Sequence, residues 1–462
     1  MKNWLFISFI ISIALLAYAC DPLEEEITRD SNIQLTFSTD TVLFDTVLST
    51  VGSITRRLKI YNRDERAIEL SQLRLGTGDE SSYTITVNGE VGSSFENTVI
   101  LGEDSLLVLV EVLIDPQNEE TPFLVKDSLV VESNGNMADV KLVAYGQDAI
   151  FIDGGVFNCD VTLTAGRPYV IRNFALVDTL CSLTMEPGTR VLMDNDAFLA
   201  VRGRLLIQGD TASPVVINST RIDGRFANGP GQWRGIFFLD GSTGNMIDHA
   251  VIRNSEIGLS AGSPDNTMMI DLDVNSTVIE NMSFAGIFAF NAQIRAVNNV
   301  INNCGTYMIF NAAGGDYVYH HNTFSNLPNS FIRDDASVQF SDRLEDLQTG
   351  EVFVNDLRLE MINNIIWGGQ SEELVIFLTG ERDIDVRNNI IRSEDLWIAS
   401  DNFASLERNF PGFENINFTD FRIDSLGFAR DKGLPLGVEF DILDLARDEM
   451  PDIGAYERVD PE

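Results

Sequence analysis

Six segments of this chain repeat one short pattern: one or two Asn-like polar residues, two aliphatic residues, then a polar stop. They are HAVIRN (249–254), STVIEN (276–281), NNVINN (298–303), HNTFSN (321–326), NNIIWG (363–368) and NNIIRS (388–393). The first aliphatic slot falls at Val251, Val278, Val300, Thr323, Ile365 and Ile390, in steps of 27, 22, 23, 42 and 25 residues. A repeat of this length marks units that cannot bury an apolar face alone and must stack on their neighbours. β-Branched residues next to Asn favour short strands with tight corners over a helical repeat. The pattern predicts a parallel β-helix.

Asn suits such corners because it tolerates left-handed backbone geometry, and its amide can bond the rung above and below. Asn254, Asn281, Asn303 and Asn326 are therefore expected to hold rungs together, with His249 and His321 as substitutes in equivalent positions. The 42-residue step is the irregular place. Either it hides a weak rung or one rung carries an insertion of about 19 residues, beyond the regular repeat length. The charged stretch SFIRDDASVQFSDRLEDLQTG (330–350) lies in it, and the Gly- and Arg-rich STRIDGRFANGPGQW (219–233) is a second interruption. Loops grafted on a solenoid are where function is expected.

The 462-residue chain has a formal net charge of −38, which repels phosphate backbones and excludes nucleic acid as a partner. Residues 1–19 read as an export segment: Lys2, an apolar run from Trp4 to Leu16, then small residues. Ala17-Tyr18-Ala19-Cys20 resembles the lipobox of bacterial lipoproteins. That resemblance implies cleavage before Cys20, its lipidation, and anchoring to a membrane. The alternative is a cleaved secretory signal followed by an incidental Cys. An acidic tether (20–31) follows, similar to tags that send lipoproteins to the surface of the bacterial outer membrane. Cys159 and Cys181 lie 22 residues apart, one coil of the helix, and can form a disulfide or stack as free thiols. Cys304 reads as core.

From 32 to 149 short strands alternate with turn residues: IQLTFS, ITRRLKIYN, YTITVNG, SLLVLVEVLI, DSLVVESN and ADVKLVAYG. This layout resembles the Ig-like β-sandwiches that bacteria place beside larger secreted domains. Further on, Leu183-Thr184-Met185 recurs as Leu205-Leu206-Ile207. The run LTMEPGTRVLMDNDAFLAVRGRLLIQG (183–209), with PVVINST and GQWRGIFF after it, resembles right-handed parallel β-helix proteins of the pectate-lyase-like superfamily. The expected fold is all-β: a sandwich over 32–149, a single-stranded right-handed parallel β-helix of about ten rungs over 150–420, and a C-terminal cap over 421–462. The cap is expected to cover the last rung, because an exposed coil end would pair with another chain.

Proteins of that superfamily act on acidic polysaccharides, which sets the chemistry to look for. Uronate lyases need a cationic base and a cation to neutralise the carboxylate. No Lys occurs between Lys141 and Lys432, which removes Lys-base versions and the Arg-x-Lys of the related hydrolases. Arg221, Arg225, Arg234, Arg333 and Arg343 are the remaining cationic candidates within the two interruptions or beside them. Trp233 is either a core residue or a sugar platform, and Asp334 and Asp335 are ligand-binding candidates in the second interruption. Asp271 with Asp273, and Asp383 with Asp385, alternate on strand faces. They could offer a Ca²⁺ site, although Ca²⁺ needs six or more oxygens and these pairs supply two at a time. No metal ligand set and no cofactor motif is present. The expected function is non-catalytic binding of a glycan or partner protein at the cell envelope. The alternative is a divergent lyase or glycoside hydrolase acting on acidic polysaccharide.

Overall fold

A computed structural model describes residues 26–460 apart from 222, 223, 267, 329, 330, 381, 396 and 419. The export segment, Cys20 and most of the tether lie outside the described residues. The chain divides into two compact units, 1–148 and 149–462.

The first unit consists of two sheets. One runs through Thr36–Phe37, Arg56–Tyr61, Ser105–Val112, Tyr83–Val87 and Glu90–Gly92; the other contains Thr41–Leu48, Ala67–Leu75, Ser94–Ile100, Phe123–Ser133 and Asn136–Gln147. Alternate residues of both, such as Leu58, Ile60, Val108, Leu70, Leu129 and Leu142, form one buried apolar core. That is the two-layer arrangement of a β-sandwich. The strands 41–48, 67–75 and 94–100 escape the sequence reading because charged and polar residues interrupt their alternation.

In the second unit every rung visits three parallel sheets in turn. The first sheet collects the Asn-aliphatic repeats: Val251 pairs with Val278, Val278 with Val300, Val300 with Thr323, Thr323 with Ile365, and Ile365 with Ile390. The second sheet includes Phe174–Val177's partner Phe198–Val201, then Gly235–Phe238, Ile257–Ala261 and onward to Leu374–Phe377. The third runs from Val161–Leu163 through Ser182–Met185 and Arg204–Gln208 to Arg382–Arg387. Leu183 pairs with Leu205, the register that the recurring triplets imply. Inward residues of all three sheets make one continuous core from Leu163 to Ile398. Cys159 and Cys181 form a disulfide between adjacent rungs, and Cys304 is free and buried.

Thr323 pairs directly with Ile365, so the 42-residue step holds no hidden rung. The extra residues form a loop before Val338–Ser341 and a hairpin, Arg343–Glu345 with Val352–Val354, after it.

Two corners account for the polar residues of the repeat. Where the third sheet turns into the first, His249, Asn298, His321, Asn363 and Asn388 take positive φ (47–61°), while Asn299, Asn322, Asn364 and Asn389 point inward and are buried or nearly so. Where the first turns into the second, Asn254, Asn281 and Asn303 take the same left-handed geometry. Asn326 there accepts the Cys304 N–H at 2.9 Å.

At the end of the coil the C-terminal segment meets the last rung on its outward side, at Ile390 and Phe403. A short turn at Ile398–Ser400 closes that end, with Ile398 inside the main core. The tail lies back along the outward face of the first sheet. Its Phe413, Phe421, Ile423, Ile442 and Ile453 pack on Val300, Ile365, Trp367 and Ile390. Left-handed corner residues serve as its docking points: Asn363 exchanges two bonds with Leu434, Asn388 donates to Lys432 O and Asn298 to Phe440 O. The apolar outward face of the first sheet presents far more surface than one coil end, and the tail buries it.

Candidate functional site

The topology puts both interruptions beside one surface. Residues 220–234 and 326–337 connect the first sheet to the second, and the hairpin over 342–356 connects the second to the third. Connections entering and leaving the second sheet lie at its opposite edges. They therefore border its outward face on two sides, and the cleft is the surface between them.

The floor of that cleft is aromatic. Phe288 stacks on Phe310 with ring centroids 5.1 Å apart and planes 21° apart, one rung above the other. Phe284, Phe290 and Tyr307 meet this pair edge-on or tilted at 4.9–6.3 Å. Lower on the same sheet Phe174, Phe198 and Phe237 form a second run at 5.8–6.0 Å. Beyond Phe310 the floor opens into a cavity of about 400 Å³ lined by Gln339, Arg343, Leu344, Glu345 and Phe377 among others. Phe377 is 58% exposed. The inserted hairpin thus supplies one wall of the cavity.

The candidate residues meet different fates. Trp233 is a core residue and not a sugar platform: it is 1% exposed and its indole N–H donates to Arg253 O at 2.7 Å, so no ring face is offered to a ligand. Arg333 is withdrawn from any catalytic role by burial, since its guanidinium forms a forked pair with Glu373 at 2.8 and 3.2 Å. The two side chains are 3% and 0% exposed. Arg221 lies 3.6 Å over the Phe226 ring, and Arg234 is exposed at the corner before Gly235. The side chain of Arg225 lies outside the described ones. Arg343 pairs with Glu345 at 2.7 Å on the cavity wall. Asp334 and Asp335 are exposed on the loop that holds Arg333, and Asp335 faces Tyr307: burial first, then this carboxylate, pushes the phenol above its ordinary range.

The second-sheet strands themselves, from Gly155 to Phe377, contain no Asp, Glu, His, Lys or Arg. Acid–base catalysis needs a titratable group within hydrogen-bond reach of the reacting atom. This floor supplies stacking faces, the Gln339 amide and one titratable group, the Tyr307 phenol, whose pKa is raised. Among the described residues no group of three or more His, Cys, Asp or Glu side chains is placed to hold a metal ion. The four strand-face aspartates, Asp271, Asp273, Asp383 and Asp385, stand on the third sheet, away from this floor. The aromatic run was missed in the sequence because each strand contributes one or two Phe, and only the rung register brings them together.

No protein-family model and no curated protein matches this sequence. Among solved structures the chain is similar to pectate lyase Pel9A, at 11% identity and a TM-score of 0.32, over 68% of this chain and 88% of that one. It is also similar to a Porphyromonas gingivalis W83 protein of unknown function (14% identity, TM-score 0.18, 27% of this chain) and to a family 123 glycoside hydrolase from Clostridium perfringens (7%, 0.19, 26%). This chain spans 60% of the first of those two and 30% of the second. These scores lend no support to an activity; the parallel β-helix is read from the strand register of the chain itself.

Proposed function

We propose that this protein is an exported, lipid-anchored glycan-binding protein of the bacterial outer membrane, displayed at the cell surface. In this reading the sandwich is an Ig-like spacer, the helix is right-handed, and the second-sheet cleft holds the ligand. One observation supports the binding role: an aromatic floor whose second-sheet strands carry no Asp, Glu, His, Lys or Arg, with a cavity walled on one side by the inserted hairpin. Ring faces pack against the apolar C–H faces of sugars, while Gln339, Arg343 and Glu345 can bond hydroxyls. The lipid anchor rests on the Cys20 segment alone.

The test is a glycan array with the soluble ectodomain, repeated with Phe377→Ala, which removes an exposed ring without opening the core. Binding that weakens in the variant supports the cleft. Reproducible turnover of a polysaccharide, seen as unsaturated products or new reducing ends and abolished by an Arg substitution, would replace this reading with the enzymatic one.

A further inference from the structure

The third sheet carries a different kind of surface. Its outward positions line up by register: Arg204, then Asp271, Gln293, Asp316, Arg358 and Asp383 occupy one file on successive strands, with Gly244 standing between the first two. Asp273 pairs with Arg295 in the adjacent file. Three cavities of about 330, 510 and 530 Å³ follow one another along this face. The first two share Arg204, and the last two share Asp316 and Arg358, so they form one groove parallel to the coil axis. From Ser182 to Asp383 it covers seven rung steps, about 34 Å at the usual strand spacing.

Its charges are only partly spent within the protein. Arg358 sits between Asp316 (3.7 Å) and Asp383 (3.4 Å), and the guanidinium side chain is 58% exposed. Exposed pairs of this kind exchange partners at little cost. Asp271 accepts the Gly244 N–H, and Gly244, with φ of 67°, leaves the space that the Arg204 guanidinium fills. Arg204 and Arg295 are exposed, and neither has a carboxylate partner among the described residues. Beyond the groove, Glu360 is held by His320 at 2.7 Å and Asp385 by Arg387 at 2.9 Å.

The order of the charges decides the ligand. A polyanion laid along the file meets Arg204 but then Asp271, Asp316 and Asp383; a polycation meets the reverse, and like-charge contacts are costly. A hydroxyl both donates and accepts, so an uncharged polyol chain is served equally by carboxylate and guanidinium at every rung. We infer that the third-sheet groove is a second binding site, separate from the aromatic cleft, for a neutral hydroxyl-rich polysaccharide chain lying along the coil axis.

Calorimetric titration of the soluble ectodomain with a length series of linear uncharged glucan and mannan oligosaccharides tests this, with polygalacturonate and polylysine as charged probes at low and high salt. Affinity for a neutral chain should rise with length until the groove is spanned and should change little with salt. The double variant Asp273→Asn/Arg295→Gln alters only exposed side chains. It should weaken that binding about tenfold or more, the loss expected for charge-assisted hydrogen bonds. Phe377→Ala should leave it unchanged. The inference fails if no neutral chain binds, if the double variant binds as the parent does, or if a charged probe binds more tightly and is released by salt. A neutral chain lost in Phe377→Ala but kept in the double variant would place the ligand in the aromatic cleft, overturning this site and leaving the other standing.

Discussion

The side-chain amide of Asn322 donates to the side-chain carbonyl of Asn364, 2.9 Å away and 42 residues further along the chain. Asn299 makes the same bond to Asn322, Asn364 to Asn389, and Asn389 to Asn402. Each carbonyl in this ladder also receives the backbone N–H of the residue below, as Asn364 does from Asn322 at 2.9 Å. The ladder passes the insertion without a gap. A buried, fully bonded stack keeps the rungs in register, and the inserted hairpin is free to shape the cleft wall.

Replacing Asn364 by Ala leaves the Asn322 amide and backbone N–H without their acceptor inside the core. Each buried unsatisfied group costs about 1–3 kcal/mol. Asn303→Ala, at a half-buried corner where the amide bonds only Asn281 (2.6 Å), should cost less. Urea denaturation of the two variants is the check; equal midpoints would show that the inner ladder does not carry this stability.

Breaking the buried Arg333–Glu373 pair should be costly in a different way. Arg333→Ala leaves the Glu373 carboxylate, 0% exposed, without its counter-charge, and such losses run to about 3–5 kcal/mol. Replacing both partners with apolar residues of similar volume should restore much of the loss. Thermal midpoints of the single and double variants decide it. A harmless Arg333→Ala would return this arginine to the candidate ligands.

The sequence made the rungs legible because burial repeats every turn and Asn marks the corners. It could not say which Asn faces inward, since one residue's shift exchanges the left-handed corner position with the ladder position, as at Asn363 and Asn364. In a Gly-rich loop Trp233 reads as either a core residue or a platform, and only the isolated bridge from Trp233 to Ser255 makes it part of a rung. The cleft and the groove were illegible for one reason: Phe288 with Phe310, and Asp273 with Arg295, become neighbours only through strand register.

Cys159 and Cys181 close a loop of 22 residues at the first rungs. On the chain-entropy account a crosslink of that span stabilises by about 3 kcal/mol. The Cys159→Ser/Cys181→Ser variant should therefore unfold at lower denaturant, with hydrogen exchange rising first over 150–185. Unchanged exchange there would mean that the neighbouring rungs already hold this end.

Docking of the C-terminal tail should depend on pH. Asp441, Asp452 and Glu457 are buried around Arg447, whose pair with Glu457 at 3.1 Å leaves the two side chains 2% and 4% exposed. Burial raises all three carboxyls, and Glu457 reaches about 7 against an ordinary 4.5. His249, between Asp248 (2.9 Å) and the tail's Asp444 (3.6 Å), is raised chiefly by its bond to Asp248. In each of these cases the docked tail binds protons that a released tail gives up; His321, which burial and then Arg447 hold well below its ordinary value, works the other way and weakens docking as pH falls below the free histidine range. The carboxyl contributions are complete below the ordinary carboxylate range and are lost as pH rises through the docked values, for Glu457 near 7; the His249 contribution is likewise lost as pH rises through its raised value. Hydrogen exchange over 430–457, corrected for intrinsic rates, should show stronger protection at about pH 5 than at about pH 8, a window that brackets the Glu457 change. Glu457→Gln, neutral at every pH, should remove part of the difference while keeping the acid-side protection. Protection that is flat, or greater on the alkaline side, would show that the lowered His321, with Arg447, outweighs the three buried carboxyls.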